Sequence, residues 1–185
     1  MSVLVYTENW DGKFKKLSFE LVSYAHGVAS MIGTDVVAVS IGDVDDSELE
    51  KLGNYGAKKV ISVNKEKLKG LDSQAYAAVI SEIAGREEAE VLVISNNNTG
   101  KAVAPRLSVK LKAGVGAGVS KLPSSTDPFT VYKRVYSGNA YANIVIKSDI
   151  KILTLEQNSF EVNETGGNAE IEQMDYDLDE SLVKT

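Results

Sequence analysis

The stretch at residues 91–111, VLVISNNNTGKAVAPRLSVKL, decides the fold. Val91, Leu92, Val93 and Ile94 form a short apolar run. A polar cluster, Ser95 to Thr99, interrupts it. Gly100 and Lys101 then open a segment in which Val103, Leu107 and Leu111 recur at helical spacing. This spacing predicts a strand, a loop at its carboxyl end, and a helix over residues 101–111. In open α/β sheets, ligands and partners meet the protein at such loops.

Working outward, the same unit repeats. Apolar runs at 3–7 (VLVYT), 35–41 (DVVAVSI) and 59–63 (KVISV) read as strands. Leu17, Leu21, Tyr24, Ala25 and Val28 share one helix face, with Gly33 as the stop. Residues 46–52 suggest a short helix that Ser47 could cap, and residues 73–84 suggest a longer one ending at Gly85. The four strands begin about 24–32 residues apart with a helix between each pair, the spacing of βαβ units. Strands apolar throughout belong in a parallel sheet covered on both faces. The expected fold is an α/β, Rossmann-like doubly wound three-layer sandwich. Beyond residue 111 the pattern changes. Residues 115–122 read as a strand of small residues. Residues 129–136 and 140–147 read as two strands joined through Ser137-Gly138-Asn139, an antiparallel hairpin added to a mainly parallel sheet. Residues 151–155 read as one further strand.

Composition narrows the function. The 185 residues suit one domain, or one domain with an extension. The absence of cysteine removes thiolate metal sites and disulfides, and a single histidine, His26, argues against a histidine metal site or a His-based triad. A net charge of −6 argues against nucleic-acid binding by a basic surface. No apolar run nears the ~20 residues of a membrane span, and no secretion signal opens the chain, so the expected location is cytoplasmic with no membrane insertion. The acids are concentrated at the end. Residues 152–185 hold nine acids against one lysine, leaving residues 1–151 at net +2. The expected division is a Rossmann-like domain at 1–155 and an acidic extension or linker at 156–185. The extension reads either as a solvated tail or as an arm wrapping its own domain or a partner.

Two motifs imitate nucleotide sites. Asn97-Asn98-Thr99-Gly100-Lys101 resembles the end of a phosphate loop. That loop needs glycine five residues before Gly100 and Ser or Thr after the lysine, and the chain has Ser95 and Ala102 there. Thr99, Gly100 and Lys101 are therefore read as a vestigial nucleotide loop, a polar helix cap that retains a weak anion or adenylate site as the alternative. Gly114, Gly116 and Gly118 suggest a dinucleotide turn, but a helix precedes them and a strand follows, the reverse of the fingerprint. Close backbone packing accounts for them. His26 reads as a boundary residue, and the pairs Asp45–Asp46 and Glu87–Glu88 as solvated turn or helix-end acids. Pro105 falls in the first turns of the expected helix. No catalytic constellation is present, so an enzyme is not expected.

Set together in order, TGKAVAPRLSVKL after a strand, VYSGNAYANI in a hairpin and KILTLEQNSF resemble the N-terminal domain of electron transfer flavoprotein α subunits. That family carries Gly-Lys/Arg, Pro-Arg and Ala-x-x-Leu after its fourth strand. Gly100-Lys101, Pro105-Arg106 and Ser108 to Leu111 match, with Ser108 in the alanine's place. Its Tyr-Ala-Gly-Asn-Ala signature corresponds to Tyr136-Ser137-Gly138-Asn139-Ala140. Glu156 stands where the family usually has Arg. The family's Gly-Gly-Arg-Gly turn and Ser-Gly-Ala-Ile-x-His segment, which belong to a C-terminal FAD domain, do not occur, so the chain is expected to be a fragment or a shortened form. The resemblance implies a scaffold and subunit-contact domain within a heterodimer. That heterodimer would carry electrons from acyl-CoA or other dehydrogenases to an acceptor oxidoreductase. FAD would reside in the full-length parent and AMP in the β partner. Arg106, Tyr136, Gly138 and Asn139 would lie at the partner interface. A free-standing adenine-nucleotide-binding domain resembling stress proteins is the alternative.

Overall fold

A computed structural model of the chain describes residues 1–68, 70 and 72–177. In chain order the elements are β1 (Ser2–Tyr6), the two-residue β2 (Asn9–Trp10) and β3 (Lys13–Phe14), α1 (Lys16–Ile32), β4 (Asp35–Ile41), α2 (Asp46–Leu49) and β5 (Ala57–Val63). There follow α3 (Ser73–Arg86), β6 (Ala89–Ser95), α4 (Asn98–Leu111), β7 (Gly114–Val119), β8 (Ser125–Thr126), β9 (Phe129–Val135), β10 (Ala140–Val145), β11 (Lys151–Leu155) and β12 (Glu170–Gln173).

The main sheet runs β10-β9-β7-β11-β6-β1-β4-β5-β12, with β8 pairing β9. Strands from β7 to β12 along this order are parallel, and β9 and β10 are antiparallel. The expected Rossmann-like three-layer sandwich with an antiparallel hairpin is therefore what forms. Its layers follow from the pleat, which sends alternate side chains to opposite faces. Val3 and Val5 of β1 join one core with Leu21, Tyr24 and Val28 of α1. Leu4 and Tyr6 join the other with Ile80, Ile83, Val103 and Leu107 of α3 and α4.

Helix ends follow local chemistry. Gly33 closes α1 in the left-handed region, φ 72°, its N–H donating to the Ala29 carbonyl. Asp72 caps α3 by accepting from Gln74 N at 2.8 Å and Ala75 N at 3.1 Å. For α2 the expected Ser47 cap is not the one used. Asp45 holds that position, without a side-chain bond, and the helix passes into a 3₁₀ turn, Glu50–Tyr55. α4 begins at Asn98 rather than at residue 101, because Asn97 supplies the cap. Pro105 consequently lies in the helix interior. The carbonyl it orphans, on Lys101, belongs to an exposed residue that water can serve.

The spacing of strands did not reveal where β11 goes. It inserts between β6 and β7, pairing in parallel with both. Gly116 makes room beside it, and Gly114 makes room for the segment that leads into it. A Cβ at Gly114 would meet Ile146 at 2.6 Å, and one at Gly116 would meet Leu153 at 3.0 Å. Close packing is thus the role of those two glycines.

The acidic extension lies along its own domain as far as it is described. The carboxylate of Glu20, 1% exposed on α1, accepts from three backbone N–H groups: Asn158 at 3.0 Å, Ser159 at 2.8 Å and Phe160 at 3.0 Å. The Ser23 hydroxyl accepts from Asn163 N at 3.1 Å, and Thr165 N donates to the Asn54 carbonyl at 2.6 Å. Gly53 admits the chain at residues 168–169, where any Cβ would collide with backbone. β12 then pairs with β5 at the sheet edge. Glu172 ion-pairs with Arg86 and with Lys59 at 2.9 Å, and Lys59 also holds Glu87 at 2.8 Å. Glu87 is therefore paired, not merely solvated as its sequence position suggested. Residues 178–185, which include the expected acids Asp179 and Glu180, lie outside the described residues.

Candidate functional site

β1, β4, β5, β6 and β11 end at one edge of the sheet. α1 follows β1 on one face, while α3 and α4 cover the other. The loops after β1 and β6 therefore flank the crevice in which doubly wound folds take ligands. Here the crevice is bridged. Glu8 Oε1 accepts from the Ser95 hydroxyl at 2.8 Å and from Asn97 Nδ2 at 2.7 Å, tying the two loops together.

The same bridge shapes the helix start behind it. Asn97 Oδ1 accepts from Gly100 N at 2.9 Å, and the Asn97 carbonyl accepts from Lys101 N at 2.9 Å. The Ser95 carbonyl presses so close to Gly100 that any Cβ there would collide with it. The N-terminus of α4 thus spends part of its positive end on its own cap, and it faces a carbonyl and a carboxylate. Both repel a phosphate. Lys101 is exposed, and Thr99 lines the neighbouring cleft. The three residues of the nucleotide-like loop are adjacent in space at the start of α4.

Beside the bridge lies a cleft of about 520 Å³, lined by Tyr6, Glu8, Asn9, Asp11, Gly12, Ile41, Gly42, Asp43, Leu68, Tyr76 and Thr99. Of its polar residues, the sequence pattern points only to Thr99. The signal available was positional: Glu8 and Asp43 each follow a strand that ends at this edge. Tyr6 and Tyr76 meet edge to face with ring centres 6.1 Å apart. The Tyr76 hydroxyl donates to the Leu68 carbonyl at 2.9 Å. Burial foremost, then the neighbouring Tyr76 and Glu8, push the Tyr6 phenol well above its ordinary value, so it stays protonated.

The residues expected at a partner interface fall on two separate elements. Arg106 stands on the exposed side of α4 and donates to the Ala102 carbonyl of its own helix at 2.8 Å. With Gln74, Pro105, Val109 and Lys110 it borders a shallow apolar patch. Tyr136, Gly138 and Asn139 form the turn between β9 and β10. Tyr136 takes φ 51° and Gly138 φ 90°, and Tyr136 is 80% exposed. The hairpin behind this turn carries Tyr141 stacked on Tyr132 at 4.8 Å, Lys121 Nζ 4.8 Å from the Tyr132 ring centre, and Arg134 5.9 Å from that of Tyr141. Among the described residues β10 pairs only with β9, so its outer side is a free sheet edge there. Its sequence, AYANIV, contains no charge and no proline, the usual guards of an edge.

Glu156, the residue that departs from the family pattern, accepts from Asn96 Nδ2 at 2.6 Å, while its backbone N–H donates to the Val119 carbonyl at 2.9 Å. It ties β11 to the loop after β6. His26 is exposed beside Gly56, consistent with a boundary residue. No helix among the described residues is long and apolar enough to cross a membrane.

Comparison with known proteins gives a consistent result. The family model described as "Electron transfer flavoprotein domain" matches residues 3–179. The acryloyl-CoA reductase electron transfer subunit beta of Anaerotignum propionicum is 32% identical over 120 residues, 65% of this chain and 33% of that protein. The electron transfer flavoprotein subunit alpha of Megasphaera elsdenii is 30% identical over 145 residues, 77% of this chain and 43% of that protein. Its counterpart in Bacillus subtilis is 24% identical over 178 residues, 95% of this chain and 54% of that protein. The chain thus spans roughly a third to a half of the length of these relatives.

Proposed function

Since this chain belongs to the electron transfer flavoprotein domain family, we propose that it is the scaffold and subunit-contact part of an α-type electron-transfer subunit. It has no catalysis of its own. In this reading it pairs with a β-type subunit that holds AMP. FAD occupies another part of the full-length parent, and the assembly passes electrons in the cytoplasm from acyl-CoA or other dehydrogenases to an acceptor oxidoreductase.

The observation that carries the reading is the bare edge of β10. An uncharged six-residue edge strand, with Tyr141 53% exposed and Val145 45% exposed, is a template for strand addition. Tyr136, Gly138 and Asn139 stand at the end of the same hairpin and would extend the contact. Arg106, on α4, would belong to a second patch of it. The bridged crevice supports the other half of the proposal, because the loop at Thr99, Gly100 and Lys101 offers a phosphate poor electrostatics.

Two measurements test it. Co-expression with a β-type subunit should give a complex that co-elutes on size exclusion. After incubation with FAD and gel filtration, the isolated chain should carry no stoichiometric flavin absorbance near the visible flavin bands. A yellow, flavin-loaded chain, or failure to associate with a β subunit, would overturn it. Micromolar AMP or ATP binding at Thr99 to Lys101 by calorimetry would support instead a free-standing adenine-nucleotide domain.

A further inference from the structure

The cleft beside Glu8 has an unusual balance of hydrogen-bonding groups. Three carboxylates, Glu8, Asp11 and Asp43, line it, and none of the described lining residues is a lysine or arginine. Two of its side-chain donors are spent internally. Asn9 Nδ2 donates to the Ile41 carbonyl at 2.9 Å, and the Tyr76 hydroxyl donates to Leu68. The acceptors are not spent. Among the described residues Glu8 uses only Oε1, and Asp43 uses only Oδ1, which takes Asn64 Nδ2 at 2.7 Å.

A second observation points the same way. Tyr6 is 5% exposed, and its hydroxyl makes no hydrogen bond among the described residues. Nor is that hydroxyl among the fully occluded atoms left without a partner, so it opens into the cleft its residue lines. A near-buried tyrosine without a partner calls for one.

We propose that this cleft binds a small organic ammonium ligand, a di- or polyamine, whose N–H donors meet Tyr6 Oη and the free oxygens of Glu8, Asp11 and Asp43. A bare divalent cation fits poorly. No three acidic or histidine groups among the described residues converge as a metal site, and about 520 Å³ far exceeds one ion. A phosphorylated ligand meets three carboxylates and, among the described lining residues, no lysine or arginine. An extended amine matches carboxylates that are spread along a cleft, through charge-assisted bonds. The inference goes beyond the subunit-contact reading. The site lies at the carboxyl edge of β1 and β4 rather than on the β9–β10 hairpin, so its failure would leave that reading untouched.

Calorimetric and NMR titration of the folded chain with spermidine and putrescine provides the test. Saturable one-site binding is expected, with chemical-shift changes at Tyr6, Asn9 and Asp43. Tyr6→Phe, Asp43→Asn and Asp11→Asn should each weaken it about tenfold, the order expected for one lost hydrogen bond to a charged group. Asp149→Asn, an exposed acid outside the cleft, should leave it unchanged. Asp11 is exposed and its substitution does not threaten the fold, so one cleft variant stays informative if the others are destabilised. Non-saturating binding overturns the proposal. So do equal losses in Asp149→Asn, or tighter one-site binding of Mg²⁺ or AMP than of spermidine.

Discussion

The two edges of the main sheet are treated in opposite ways. At one edge β12, EIEQ, carries two glutamates and is fastened to β5 by backbone pairing and by the Lys59, Arg86, Glu87 and Glu172 cluster. At the other edge β10, AYANIV, carries no charge and starts from a tyrosine-bearing turn. An unguarded edge invites pairing with another chain. The contrast teaches that the molecule covers one edge with its own arm and leaves the other bare, which is the edge proposed above for a partner.

The largest effect should come from unfastening the closed edge. Glu20→Ala strands three backbone donors where a buried carboxylate served them, and it should cost on the order of 3 kcal/mol. Chemical denaturation would read that loss. Hydrogen exchange should accelerate at residues 158–163 before it does in β1 or β6. Unchanged stability with unchanged exchange would break the idea that the arm is anchored there.

Charging the open edge should come next. Tyr141→Lys combined with Val145→Lys should weaken association with a β-type subunit by about 2 kcal/mol, roughly thirtyfold. Both side chains are about half exposed, so thermal stability should barely move. Undiminished association would show that the partner avoids this edge.

The smallest effect concerns the ion pairs of β12. Arg86 first, then Lys59, hold the Glu172 carboxyl at about 2, below its usual 4.5. A carboxyl depressed in the folded state contributes stability that is complete above 4.5 and lost as pH falls toward 2. Arg86→Ala should cost about 1 kcal/mol or less, since the pair is partly solvated. It should also shift the acid-induced loosening of residues 170–173 to higher pH, measured by proteolysis or exchange. An identical pH profile in the variant would remove the ion pair from the account of this edge.

Much of this architecture was legible along the chain. Strands at 3–7, 35–41, 59–63 and 91–94 were visible as apolar runs, because a strand buried on both faces has no polar side to disguise it. The hairpin was visible from Ser137-Gly138-Asn139, because tight turns demand particular residues. The start of α4 was misplaced by three residues. The cap is a single hydrogen bond from Asn97, one of three consecutive asparagines that any of them could make. The cleft was hidden, since Tyr6, Glu8 and Asn9 lie at and just after the end of β1 while Asp43 follows β4, Tyr76 stands on α3 and Thr99 on α4, and only the packing of these elements brings them together.

By itself the sequence determined the alternation of elements, the parallel core, the hairpin and the likeness to electron transfer flavoprotein α subunits. Those are properties of local periodicity and turn chemistry, which neighbouring residues settle among themselves. Only the tertiary structure decided that β11 slots between β6 and β7, that the acidic extension returns to cover β5, and that Glu8 bridges the nucleotide-like crevice. Each depends on which distant segments come into contact. Such choices rest on burial, on complementary charge and on satisfying backbone groups across the whole fold, and residue spacing along the chain does not record them.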